Sequence, residues 1–210
     1  MRLVLNLPAG ILTWELSICM GLRIMSKRIG YLPKQHGLVL LGEDADGGAT
    51  AAFDIPAGLA SVEFHFINVH PATDNAHFVF QVDAVGGSGF NETMTTTWWW
   101  TGHEESDGST FYQYGDGYDQ AQGTAYQNLA VDVGNGGDES VSGILTLYDP
   151  SSPTYVKHFA SRIAHYHSAD YSIEQFAAGY INTTTAIDAI SFKFDSGNID
   201  AGIIRMYGVR

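Results

Sequence analysis

The sequence predicts an all-β chain, a jelly-roll-like antiparallel β-sandwich over residues 38–210 preceded by an extended N-terminal arm, residues 1–37. Three observations predict it. Short apolar stretches recur from residue 38 onward, several alternating apolar and polar residues with the two-residue period of a half-buried strand. Turn formers separate them, above all the 24 glycines, which accept backbone angles that other residues avoid. Helical periodicity is weak throughout, while Thr, Tyr and Phe, which suit a pleated surface, are abundant.

Taken in order, residues 38–41 form a short, wholly apolar strand, and 49–55 follow the turn Asp44-Ala45-Asp46-Gly47-Gly48. Residues 60–70 alternate, with Val62, Phe64, Phe66 and Asn68 on one face and Glu63, His65, Ile67 and Val69 on the other; Pro71 ends the run. Residues 77–84 turn Phe78, Phe80 and Val82 inward, and Gly86-Gly87-Ser88-Gly89 is a plain turn. Further strands are expected at 93–101, 111–114, 141–148, 155–166, 173–181, 187–194 and 199–209, ten or eleven in all. Residues 118–133 are the best candidate for a helix or a long loop. No internal repeat and no low-complexity linker interrupts the series.

The net charge of −13 is unevenly spread. Residues 1–34 carry five Lys/Arg and only Glu15 as an acid, whereas residues 35–156 carry seventeen acids and no Lys or Arg. A stretch that cannot neutralise phosphates argues against nucleic-acid binding. It favours solubility, repulsion from anionic surfaces or capture of cations. Cys19 is the only cysteine, so neither an intrachain disulfide nor a cysteine-based zinc cluster can form. Residues 1–25 are apolar-rich, but Asn6, Pro8, Glu15 and Arg23 break them up too much for membrane insertion. They also make a poor signal peptide. Two readings stand open there: a docking segment, or an over-extended start covering residues 1–24, with Met25-Ser26-Lys27-Arg28 as the natural beginning.

Trp98-Trp99-Trp100 is the most unusual local feature. On a strand Trp98 and Trp100 share one face and Trp99 takes the other, and three indoles do not fit easily into one core. At least one belongs to an interface or to a flat surface for stacking a sugar ring. Tyr112, Tyr114 and Asp116 add the aromatic and carboxylate groups that glycan sites use. A second constellation is His165, His167 and Asp170, two imidazoles on one strand face and a nearby carboxylate, the donor set of non-haem iron. A cupin barrel would want a glutamate about four residues after the second histidine, where Tyr171 stands, and exposed polar residues are the plainer reading. Three acidic glycine-rich turns, at 44–47, 115–119 and 134–139, carry the oxygens calcium takes but not its helix–loop–helix spacing. No nucleophile motif and no phosphate-binding glycine loop is present. No catalytic residue and no cofactor is expected. The sequons Asn91-Glu92-Thr93 and Asn182-Thr183-Thr184 carry no weight without a secretion signal.

Three stretches together carry a resemblance. They are Phe64-His65-Phe66-Ile67-Asn68-Val69-His70-Pro71-Ala72-Thr73-Asp74-Asn75, then the segment from Gly134 through Gly143 into Leu147-Tyr148-Asp149-Pro150-Ser151-Ser152, and the segment from Ala178 through Asp188 running to the terminal Tyr207-Gly208-Val209-Arg210. Over residues 38–210 the chain resembles a family of virion structural proteins of marine tailed bacteriophages, tail-fibre-like appendage or decoration proteins. The resemblance implies a β-sandwich built into a particle as a homotrimer or higher homo-oligomer, assembled in the host cytoplasm and carrying no catalytic residues. It also implies an arm, with Lys27, Arg28, Tyr31, Pro33 and Lys34, that docks on other virion proteins, and a projecting domain that meets host surface glycans. A capsid decoration protein and a cupin-like metal enzyme are the alternatives.

Overall fold

Every element in the computed structural model, which describes residues 37–210, is a β-strand or a turn, and the all-β sandwich predicted above is what forms. Thirteen strands follow one another along the described residues: β1 Val39–Asp44, β2 Ala51–Asp54, β3 Ser61–Pro71, β4 Ala76–Ala84, β5 Met94–Glu104, β6 Thr110–Tyr114, β7 Ala121–Gly123, β8 Gln127–Val133, β9 Val141–Tyr148, β10 Lys157–His167, β11 Tyr171–Ile181, β12 Ile187–Phe194 and β13 Ile199–Val209. Neighbours pair antiparallel throughout. A large sheet runs β1-β13-β3-β9-β10-β11-β5, with β6 and β7 both on the far side of β5. A smaller sheet runs β8-β4-β12-β2. One residue pair, His167 with Val133, joins the two.

Because the ladders barely connect, side chains hold the sheets together. Phe64 of β3 meets Phe192 of β12 at 5.1 Å between ring centroids, Phe66 meets Phe78 of β4 at 5.1 Å, and Phe80 meets Phe159 of β10 at 5.0 Å. These are edge-to-face and tilted contacts, the arrangement aromatic quadrupoles favour. Fully buried Val62, Val82, Leu129, Leu145, Leu147 and Ile163 fill the space between.

Residues 118–133, expected as a helix or loop, contain two strands instead. In Gln127-Asn128-Leu129-Ala130-Val131-Asp132-Val133 the residues Leu129, Ala130, Val131 and Val133 are all buried. This strand is covered on both faces, so the alternation that would have announced it is missing. The expected parity of β3 also shifts at its end. Asn68 adopts a left-handed backbone (φ 50°), the pairing with β13 and β9 slips there, and Val69 enters the core while Asn68 faces out. Asn tolerates that conformation through its short polar side chain. On β13, Gly202 (φ 107°) lies against the Asn68 carbonyl, so any Cβ there would collide with it.

The stretches that carry the family resemblance serve this architecture. Asn68 N–H donates to Ser142 Oγ at 3.0 Å, Asn135 N–H donates to Asp74 at 3.2 Å, and His70 Nε2 donates to the Gly136 carbonyl at 3.0 Å. Two of the stretches therefore lock each other at the bulge. The second and third stretches meet at Lys157, which has no solvent contact. Its ammonium donates to the carbonyls of Ser152 (2.7 Å), Tyr155 (3.1 Å) and Thr183 (3.2 Å), tying the loop after β9 to the loop after β11. Desolvation lowers its pKa, and the charge of Asp149 partly opposes that. Fully buried glutamines make similar ties. Gln175 Oε1 accepts from Val131 N–H at 3.1 Å where β8 and β10 have parted, and Gln127 Nε2 donates to the Tyr118 carbonyl at 2.9 Å.

Lys157→Met keeps the aliphatic stem but leaves three inward carbonyls without their donor. It should cost about 2–4 kcal/mol in urea unfolding, and a loss under about 1 kcal/mol would show that the clamp is not structural.

Candidate functional site: the outer face of the large sheet

The backs of the two sheets differ. On the smaller sheet the chain covers its own back. Gln81, fully buried, donates through Nε2 to the carbonyls of Glu92, Thr124 and Ala125 at 3.0–3.1 Å. Tyr126 Oη donates to Ser191 at 3.3 Å, and the Lys193 ammonium stands 4.4 Å from the centre of the Tyr126 ring. The back of the large sheet carries no such cover among the described residues. Of the ten large hydrophobic residues exposed among the described residues, Leu40, Ile67, Tyr112, Tyr114, Ile144 and Tyr148 share this one face.

A single register row crosses eight strands of that face: Glu43, Arg205, His65, Ile144, Arg162, Phe176, Trp99 and Tyr114, each directly opposite the next. Directly opposed side chains on one face touch, and here they form a ladder. Trp99 stacks on Phe176 at 3.9 Å with 11° between the planes. The Arg162 guanidinium lies 5.7 Å from the centre of the Phe176 ring, and Tyr112 tilts against Trp99 at 5.3 Å. Both arginines of this face's register row are paired with carboxylates beside them: Arg205 donates to Glu43 at 2.6 Å and Arg162 donates to Glu174, while His65 lies 3.0 Å from Glu63. Two open depressions flank Glu174. One, of about 330 Å³, is lined by Ser142, Gly143, Ile144, Arg162 and Ala164; the other, of about 300 Å³, by Thr101, Gly102, His103, Thr110 and Ser172.

The structure divides the predicted contact residues. Trp99, Tyr112 and Tyr114 lie on the outer face. Trp98 is fully buried against Tyr118 at 4.7 Å and Trp100 at 5.5 Å, so it offers nothing to a ligand on the surface. Trp100 also points inward, onto Phe111 at 4.7 Å. Both fit because small residues face them: Ala177 sits opposite Trp98, and Gly115 and Gly102 leave room that a Cβ would take from Trp98 and Phe111. Tyr114 Oη donates to Asp119, which raises its pKa first by that hydrogen bond; Asp116 stands exposed on the turn beyond and adds to the rise. Sequence reading missed Phe176, Arg162, Glu174 and Ile144. Phe176, one residue from the buried Ala177 and Gln175, was the available signal, an aromatic at an outward position of a strand.

The proposed metal set does not assemble. His165 and His167 do share the inward face of β10, their rings 6.2 Å apart. Asp170 sits on the following turn with its carboxylate 3.4 Å from Tyr166 Oη, and Tyr166 takes the opposite face of β10. His167 Nδ1 accepts the Ala169 N–H at 3.0 Å, and His77 Nδ1 accepts the Asp132 N–H at 3.2 Å. In the neutral rings the proton therefore sits on Nε2, which faces the Asp132 carboxylate from 3.6 Å on His167 and 3.9 Å on His77. These nitrogens have no lone pair to offer a cation. Among the described residues no three His, Cys, Asp or Glu side chains are grouped as metal ligands. The acidic turns use their carboxylates locally, Glu139 on the Gly136 N–H and Asp119 on Tyr114. Lys27, Arg28, Tyr31, Pro33 and Lys34 lie outside the described residues.

His165 is nearly fully buried, and neither ring nitrogen has a hydrogen-bond partner in the protein. Desolvation, reinforced by the charge of His167, pushes its pKa down to about 3; the Val131 carbonyl pulls it back, but without hydrogen-bonding geometry. No protein-family model, curated protein or solved structure matches this chain.

The His165 shift has a definite sign. An unfolded histidine titrates near 6.5, so as pH falls the unfolded chain takes the proton first. Stability from this group is complete above about pH 6.5 and is lost progressively down to about pH 3. Between pH 7 and 5 the protein should lose about 2 kcal/mol more in urea unfolding than His165→Leu does. Equal losses would show that His165 is not held neutral.

Proposed function

We propose that the chain is a non-catalytic structural protein of a tailed-phage virion, located on the particle surface or tail and working through the exposed back of its large sheet. The basic arm, residues 1–37, attaches it to other virion proteins, and the β-sandwich projects as part of a fibre or appendage. The sequence resemblance carries the placement on a particle. The observation that carries the mode of action is the asymmetry of the sandwich: one sheet back is covered by the chain's own loops, while the other presents an aromatic ladder whose neighbouring arginines are already paired with carboxylates. A face so arranged is built for contact rather than for chemistry.

Host glycan contact is the second reading, and Tyr112 favours it. Trp99 and Phe176 turn their ring faces to each other, so the ring free to stack on a sugar is that of Tyr112, 74% exposed, with Tyr114 and Asp116 beside it.

Gold-labelled antibody against the chain, imaged on purified particles, tests the proposal. Label at the tail or its fibres is the expected result. Regular label over the capsid would make the chain a decoration protein, and absence of label from intact particles would contradict the placement. If the fibre reading holds, Tyr112→Ala should lower host adsorption about three- to tenfold without changing particle yield. Unchanged adsorption would remove the glycan role.

A further inference from the structure

We infer that the occupant of the large sheet's outer face is a second copy of this chain, packed face to face. The inference rests on the reading above that this face is a contact surface, and it adds the partner. Charge carries the first step. Residues 37–210 hold 22 acids and five Lys/Arg, so two copies meeting through an acidic surface repel each other. On the outer face, Glu43 and Glu174 are matched by Arg205 and Arg162 within the same molecule, and Glu63 lies within hydrogen-bond distance of His65. Two of the five Lys/Arg of residues 37–210 thus sit on this face, so two copies of the acidic domain repel each other less here than through the acidic loops.

Shape carries the second step. The ladder Tyr112–Trp99–Phe176 stands as a ridge, while Ala164 and Ala178 at its side are exposed alanines that let another backbone come close. The depressions flanking Glu174 lie beside that ridge. A two-fold operation seats the ridge of one copy in the trough of the other, the self-complementary pattern of an isologous interface. Eight strands at about 4.8 Å span roughly 34 Å, and strands of this length extend about 30 Å, so the face offers on the order of 1,000 Å². A stable association needs about 800 Å² from each partner.

Sedimentation velocity of the purified full-length chain, from about 1 to 100 µM, tests the inference. The wild type should associate with rising concentration. Ala164→Glu places an added charge in the trough and Ala178→Glu one beside the ridge, and each should weaken association at least tenfold. Both positions are exposed, so thermal unfolding should stay within a few degrees of wild type. Ala57→Glu, on an exposed loop away from the face, should associate normally. A wild type that stays monomeric throughout, or trough variants that associate as well as Ala57→Glu, would overturn the inference. If the wild type is monomeric yet the trough variants drop out of gold-labelled particles, the face serves a different virion protein: the contact reading survives and the second copy does not.

Discussion

Phe192 sits where the two sheets are held together, and the rest of the architecture depends on the contacts it gathers. Its ring lies 5.1 Å from Phe64 and from Phe66, both on the large sheet, and within 6.4 Å of Phe53, Phe78 and Phe80 on its own side. Since the ladders of the sheets share a single residue pair, with few hydrogen bonds around it, burial of these rings does most to bring them together. Each large side chain taken out of water contributes about 1.5–3 kcal/mol. Once Phe64, Phe66, Phe78 and Phe192 face inward, the two-residue period of a strand leaves no freedom for the rest. Leu145, Ile163, Ala177 and Trp98 follow them into the core, and Ile144, Arg162, Phe176 and Trp99 are forced to the outside.

The same constraint explains a face that would otherwise be an expensive surface. A one-residue slip of β5 would bury Trp99 and expose Trp98 and Trp100, and the space for Trp98 between Ala177, Gly115 and Tyr118 would be left empty. Register is thereby fixed from inside, and the outer aromatic ladder comes as its consequence. What the ladder adds is rigidity. Stacked rings and paired charges hold the outer side chains in place before any partner arrives, which lowers the entropy lost on contact.

Much of this was legible in the residues where one face meets the core and the other meets water. Val62, Phe64 and Phe66 announce β3, and Phe78, Phe80 and Val82 announce β4. The opposed faces of Trp98 and Trp99 follow from strand period alone. β8 was hidden because burial on both sides erases alternation, and β7, at three residues, is too short to show a period. The bulge at Asn68 was hidden because Asn and Gly read as ordinary polar and turn residues until the partner strand is known. Lys157 and the buried glutamines were unreadable for a related reason: their partners are backbone carbonyls and amides far away in sequence, and no side-chain pattern records them. The candidate site was half legible. Trp99, Tyr112 and Tyr114 stand out by composition, but Phe176, Arg162 and Glu174 join them only through the pairing of β10, β11 and β5.

As proposed above, the back of the large sheet is the working surface of this chain. Hydroxyl-radical footprinting of the chain, free at low concentration and assembled in its particle, reads that surface residue by residue. Trp99, Phe176, Tyr112 and Ile144 should react in the free chain and be protected in the assembled one, while Trp98 should be unreactive in both. Equal reactivity of Trp99 and Tyr112 in the two states, with protection appearing instead on the acidic loops, would contradict it.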